Sequence, residues 1–139
     1  MQVYVHYAHL SEAQKASIGQ TEEKWLDNEA GYNSYYFFEG DRYVASMFTK
    51  WTEHENTIHV MWADIPPTRH DVYLHFLNKL REEGYTPNTK VSSTGFYTQG
   101  HPELCNRLNA LFDLGFRIRN LSWANLEMAR VTTEITLTQ

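Results

Sequence analysis

The chain carries a single cysteine, Cys105, in 139 residues, which excludes an intrachain disulfide and any metal site built on several thiolates. Prolines number four and glycines seven. They are scattered singly or in pairs at turns, so no linker, internal repeat or low-complexity tract divides the sequence. No apolar run approaches the roughly 18 residues of a membrane-spanning helix. The opening Met1-Gln2-Val3-Tyr4-Val5-His6 lacks the basic region and apolar stretch of a secretory leader. Positive charge is short as well, with 12 Lys and Arg against 17 Asp and Glu and a net charge of −5. Tracking phosphates needs the opposite excess, so neither nucleic acid nor a membrane surface is expected as a partner. Arg117, Arg119 and Arg130 read as solvated strand residues. These absences imply a cytoplasmic chain with one domain over 1–139.

What is present suits a globular core. Apolar residues make up 42% and charged residues 21%, well outside the range of disordered chains. Residues 2–10 begin with β-branched and aromatic side chains and read as a strand. Ser11 opens a helix with Gln14 as its capping-box partner, and that helix runs toward Trp25 and Leu26, weakened at Gly19. Tyr35-Tyr36-Phe37-Phe38 and Tyr43–Phe48 flank a Gly40-Asp41 turn, a hairpin signature. Thr52 to Asn56 forms a second turn and Thr57 to Ile65 a third strand. Pro66-Pro67-Thr68 begins a helix whose apolar face is Tyr73, Phe76, Leu77 and Leu80, with Gly84 closing it. Lys90 to Thr94 is a short strand. Pro102 starts a helix with Leu104, Leu108, Leu111 and Phe112 on one face, where Cys105 is expected as a small buried side chain. Two strands joined at Ala124-Asn125 follow Phe116. The order β-α-β-β-β-α-β-α-β-β predicts an α/β mixed sheet with helices packed on it.

That order, with two local segments, resembles the GNAT N-acetyltransferase family. Leu111-Phe112-Asp113-Leu114-Gly115-Phe116 is similar to the Leu-Tyr and Gly-Phe pairs that end the family's late helix. Thr57 to Ile65, followed by Pro66 and Arg69, resembles the strand that leads into the family's cofactor loop. The resemblance covers nearly the whole chain in topology and only these two stretches in sequence. It implies a GNAT-like fold and transfer of an acetyl or other acyl group from acetyl-CoA or another acyl-CoA to an amine.

The resemblance also assigns roles. The backbone around Trp62, Ala63 and Asp64 would pair with the pantetheine arm. Arg69 and the N–H groups of His70, Asp71 and Val72 would face the pyrophosphate at a helix N-terminus. The family's Gln/Arg-x-x-Gly-x-Gly/Ala motif is here Arg69-His70-Asp71-Val72-Tyr73-Leu74, with Val72 and Leu74 at the glycine positions and Asp71 adding negative charge. Phe112 stands where the family often has a proton-donating Tyr, and Tyr97 is the substitute donor. His59, or a water on Glu55, would take the amine proton; Asp64 also flanks that strand.

These departures imply an alternative, a GNAT-fold protein without catalysis that acts as a protein-binding module or inhibitor. Aromatics at 14% of the chain, concentrated in Tyr32–Phe38, Trp51 and Trp62, would then give the sheet one adhesive face for a partner or a homodimer. Open space before residues 69–74 favours the enzyme, and a plug of Asp71, Val72 and Leu74 favours the binder. In the enzyme reading the acceptor is a small-molecule or protein amine, and the net charge favours a cationic one. No metal is expected. His6 and His9 lie on opposite faces of a strand, His70 and His75 are badly spaced on a helix, and no His-Glu-x-x-His occurs. Gly-x-Ser-x-Gly is absent too.

Overall fold

The computed structural model describes residues 1–18, 31–98 and 102–138. Strand β1 (Gln2–Val5) is short because His6 turns to a φ of 72° and leads into a 3-10 turn at Tyr7–His9. The expected strand to residue 10 therefore stops halfway. His6 and His9, expected on opposite faces of it, instead meet edge to face with ring centroids 5.5 Å apart. Helix α1 (Glu12–Ile18) opens with the expected capping box. The Ser11 N–H donates to Gln14 Oε1 at 2.8 Å and the Gln14 N–H to Ser11 Oγ at 3.1 Å, satisfying donors that a helix start leaves open. Its expected run toward Trp25 lies outside the described residues.

Strands β2 (Tyr32–Glu39), β3 (Arg42–Thr52) and β4 (Thr57–Asp64) form the antiparallel meander. Helix α2 (Asp71–Glu82) begins five residues later than Pro66. Pro67 forces its predecessor toward extended geometry, and the Arg69 N–H first closes a turn on the Pro66 carbonyl. Strand β5 (Lys90–Thr98), helix α3 (Pro102–Leu114), β6 (Arg117–Trp123) and β7 (Met128–Thr136) complete the chain. Gly84 and Gly115, with φ of 91° and 109°, stop the two helices. Past each, an N–H reaches back to a carbonyl of the last turn: Tyr85 to Leu80, Phe116 to Leu111.

The seven strands lie in the order β1-β2-β3-β4-β5-β7-β6. Only β4 and β5 run parallel, because α2 carries the chain back between them. Alternation along β2 sends Tyr35 and Phe37 to the face covered by α2 and α3, and Tyr36 and Phe38 to the face covered by α1. All four are at most 1% exposed. These four rings fill two cores and so take no part in the expected adhesive face. Burial of these rings drives the local fold; truncating any one to Ala would cost about 3–5 kcal/mol. Val72 is fully buried beside Phe76 in the α2 core. Cys105, expected inside, is exposed. Among the described residues, no helix is long and apolar enough to cross a membrane.

Candidate functional site

Strand β4 bonds to β5 only from Thr57 to Val60, opposite Lys90 to Ser93. On its other edge a register shift leaves Met61 without a cross-strand position on β3, and such a bulge bends and twists a strand. The two parallel strands diverge beyond that point and open a cavity of about 160 Å³. Its walls are Val60–Ala63 of β4, Ser93–Tyr97 of β5, Tyr73 of α2 and Arg107 of α3. Trp62 and Phe96, about half exposed, edge the opening from the two strands.

Tyr97 folds back over its own strand. A Cβ on Gly95 would lie 2.9 Å from the Tyr97 hydroxyl and ring edge, so glycine is what allows the ring to lie there. Burial raises the Tyr97 hydroxyl above the ordinary tyrosine range, against the lowering pull of Arg107. Burial likewise pushes Tyr73 up to about 12. Both phenols hold their protons at neutral pH. The Arg107 guanidinium donates through Nη2 to the Ile65 carbonyl at the end of β4, while its buried Nε has no hydrogen-bond partner. The same holds for Nε2 of His70, whose imidazole is pushed below its ordinary range by burial and then by the charge of Arg107. The cleft thus gathers two proton-bearing hydroxyls and one guanidinium whose Nε is unsatisfied.

The other sequence candidates fall into two groups elsewhere. His59 and Glu55 sit on the opposite face, which among the described residues is open at this end of the sheet, with Nε2 of His59 3.0 Å from Oε1 of Glu55. Arg69, His70, Asp71 and Val72 start α2 and do not line the cavity. Arg69 bonds Asp71 at 3.1 and 3.2 Å and Glu39 at 2.9 Å. Hydrogen bonds from Arg69 and Arg42 hold Glu39 below the usual carboxylate range, and Arg69 does the same to Asp71. The Val72 N–H is engaged by the Arg69 carbonyl at 3.2 Å. Trp62 and Ala63 line the cavity, whereas the Asp64 carboxylate accepts from the Tyr43 hydroxyl at 2.7 Å. Among the described residues, no three His, Cys, Asp or Glu side chains gather as a metal site requires.

Tyr73, Gly95 and Arg107 line the cavity and were not expected there from the sequence, which placed Tyr73 on an apolar helix face. A signal for Arg107 existed: it falls at helical spacing between Leu104 and Leu111, a charge interrupting an apolar face.

No family model matches the sequence. No curated protein matches it either. Solved structures do match. A Desulfovibrio desulfuricans protein assigned to the GNAT acetyltransferases superposes with a TM-score of 0.61 at 12% identity, over 98% of this chain and 99% of that one. A Staphylococcus aureus N-acetyltransferase gives 0.57 at 8%, over the whole of both chains. A Bacillus subtilis acetyltransferase in complex with CoA gives 0.55 at 12%, over 76% of this chain and 77% of that one. The chain therefore has the GNAT fold, as its order of elements implied. At these identities the likeness is one of fold.

Proposed function

We propose that the protein is an N-acyltransferase that moves an acetyl or similar acyl group from acyl-CoA to a primary amine. The observation that carries this reading is the parting of β4 from β5 beyond Val60 and Ser93, between a proton-bearing Tyr97 on one face and the His59–Glu55 pair on the other. A thioester threaded through the gap would expose its carbonyl to one side and its sulfur to the other. His59, or a water held by Glu55, takes a proton from the substrate ammonium. The freed nitrogen lone pair forms the C–N bond, the C–S bond breaks, the departing thiolate takes the Tyr97 proton, and the second proton shed by the nitrogen restores Tyr97 through solvent. The products are an amide, the CoA thiol and the proton passed through His59.

For the co-substrate, the β4 edge at Trp62, Ala63 and Asp64 is the partner for the pantetheine amides. Arg69, His70, Asp71 and Val72 are the pyrophosphate end, and there the fit is reduced, because Arg69 already serves two carboxylates. Arg107, with an unpartnered buried Nε in the cleft, supplies positive charge that those carboxylates do not claim. Val72 supports the same reading, since its side chain turns into the core and does not plug the helix start. The neutralised Arg69 favours the second reading, a GNAT-fold binding module without catalysis.

One experiment separates the two: thermal melts with acetyl-CoA and free CoA, beside an assay of thiol release. A dose-dependent rise of several degrees with amine-dependent thiol release supports the enzyme. No shift at millimolar ligand sinks it and leaves the binding module.

A further inference from the structure

The open face of the sheet carries a second, polar hollow of about 500 Å³ beside His59. Three cations, Lys90, Arg119 and Arg130, line it against two carboxylates, Glu55 and Glu134. Its balance is thus opposite in sign to the net charge of −5. Both carboxylates are also spoken for. Glu55 is held by His59 at 3.0 Å and Glu134 by Arg119 at 2.8 Å. Among the described residues, neither Lys90 nor Arg130 has a carboxylate partner.

Register places these cations relative to His59. Lys90 stands opposite Thr57 on the adjoining strand, two positions from His59 on the same face, a diagonal of about 8 Å between Cα atoms. Arg130 stands opposite Phe96 one strand further over, six ladder positions and so roughly 20 Å from Lys90, too far to share one small anion with it. The floor between is hydroxyl: Ser92, and Thr94 bonded to Thr132 at 2.9 Å.

We infer that the amine accepted here bears an anionic group, a carboxylate or a phosphate, and that Lys90 receives it while His59 meets the amine. This rests on the acyltransferase reading and names its substrate class. An amine held with its nitrogen at the His59–Glu55 pair would set a second positive charge against Lys90. Like charges a few ångströms apart repel appreciably even at a wet surface, and opposite charges gain as much. The chemistry of transfer is unchanged; the anion only decides which amine is held with its nitrogen at His59.

The test has two arms using β-alanine, phosphoethanolamine, ethanolamine and putrescine. In the first, amide NMR spectra of the protein without acyl-CoA follow β5 and β7 during titration. The anionic amines should perturb Lys90–Thr94 at concentrations about tenfold or more below putrescine. A Lys90→Gln variant should erase the difference. Equal or tighter binding of putrescine, persistence of the preference in the variant, or no perturbation by any amine overturns the inference. In the second arm, thiol release from acetyl-CoA is measured with each amine. The expected result is a kcat/KM at least about tenfold higher for the anionic amines, lost in the variant through KM with kcat little changed. A preference for putrescine or ethanolamine overturns the substrate class and leaves the acyltransferase standing. Selective NMR binding without any thiol release overturns the acyltransferase and leaves the anion site, and the response to β-alanine or phosphoethanolamine tells carboxylate from phosphate.

Discussion

Nε2 of His59 and Oε1 of Glu55 lie 3.0 Å apart because Asn56, in the left-handed region with φ of 50°, turns the 3-10 segment Glu53–Glu55 directly into β4. The pair is local in sequence yet sits on the open face of the sheet. A carboxylate so placed orients the imidazole and stabilises the proton it takes. His59→Ala is expected to lower kcat by about 10²–10⁴, the usual worth of a general base. Glu55→Gln keeps a hydrogen bond and loses only the charge, so about tenfold is expected. Glu55 is exposed and His59 half-buried, and stability should move by no more than about 1 kcal/mol. Steady-state thiol release beside thermal melts checks this; equal losses in stability and rate would make the pair structural.

Gly95 and Tyr97 give a sharper test of the proton donor. The Cβ of a Gly95→Ala variant would meet the Tyr97 hydroxyl and ring edge at 2.9 Å. Those atoms are the free end of a side chain that can swing away, so the cost in stability should stay near 1 kcal/mol. The donor, however, would leave the cleft. Gly95→Ala and Tyr97→Phe are therefore expected to lower kcat alike, by about 10²-fold or more, although one leaves the hydroxyl in place chemically and the other removes it. A Gly95→Ala enzyme of full rate would rule out Tyr97 as the donor.

The fold was legible because its signals are local and periodic. The Ser11–Gln14 box, the hairpin around Gly40-Asp41 and the Tyr73–Leu80 face each depend on residues a few positions apart. Boundaries were misjudged where one backbone angle decides. His6 ends β1 by turning to positive φ, and Pro67 delays α2 to Asp71. The site was less legible because strand divergence is not written in any one segment. It arises from a bulge at Met61 and from how far β5 extends, since the strand expected to end at Thr94 runs on through Gly95 to Thr98. The partners of Arg69 were hidden too, since Glu39 lies 30 positions away on the β2–β3 turn.

Arg107 links the cleft to the end of β4 through the Ile65 carbonyl. Replacing it with Gln should leave that half-buried carbonyl poorly satisfied and cost about 1–3 kcal/mol, read as a lower midpoint in urea with an unchanged slope. Loss of its charge should also weaken free CoA by about tenfold in calorimetric titration. Arg107→Lys restores the charge without the planar fork. It is expected to recover most of the CoA affinity and little of the stability. Recovery of stability without affinity would reverse the roles assigned to the two ends of the guanidinium.

The acid sensitivity of the molecule should have two separate limbs. His70 has its imidazole lowered from 6.5 by burial and then by Arg107. Below 6.5 the unfolded chain therefore binds a proton that the folded chain resists, and stability falls as pH drops through that window until the folded imidazole titrates. Glu39 and Asp71 are lowered from 4.5 and 3.8 by their bonds to arginine. Their contribution is complete above those values and is lost only as pH falls further, through their folded values. Melting temperatures across about pH 3 to 8 should thus fall first just below 6.5 and again below 4.5. His70→Gln should flatten the first limb and leave the second, whereas Arg69→Gln should flatten the second and leave the first. A first limb that survives His70→Gln would locate the buried titrating group elsewhere.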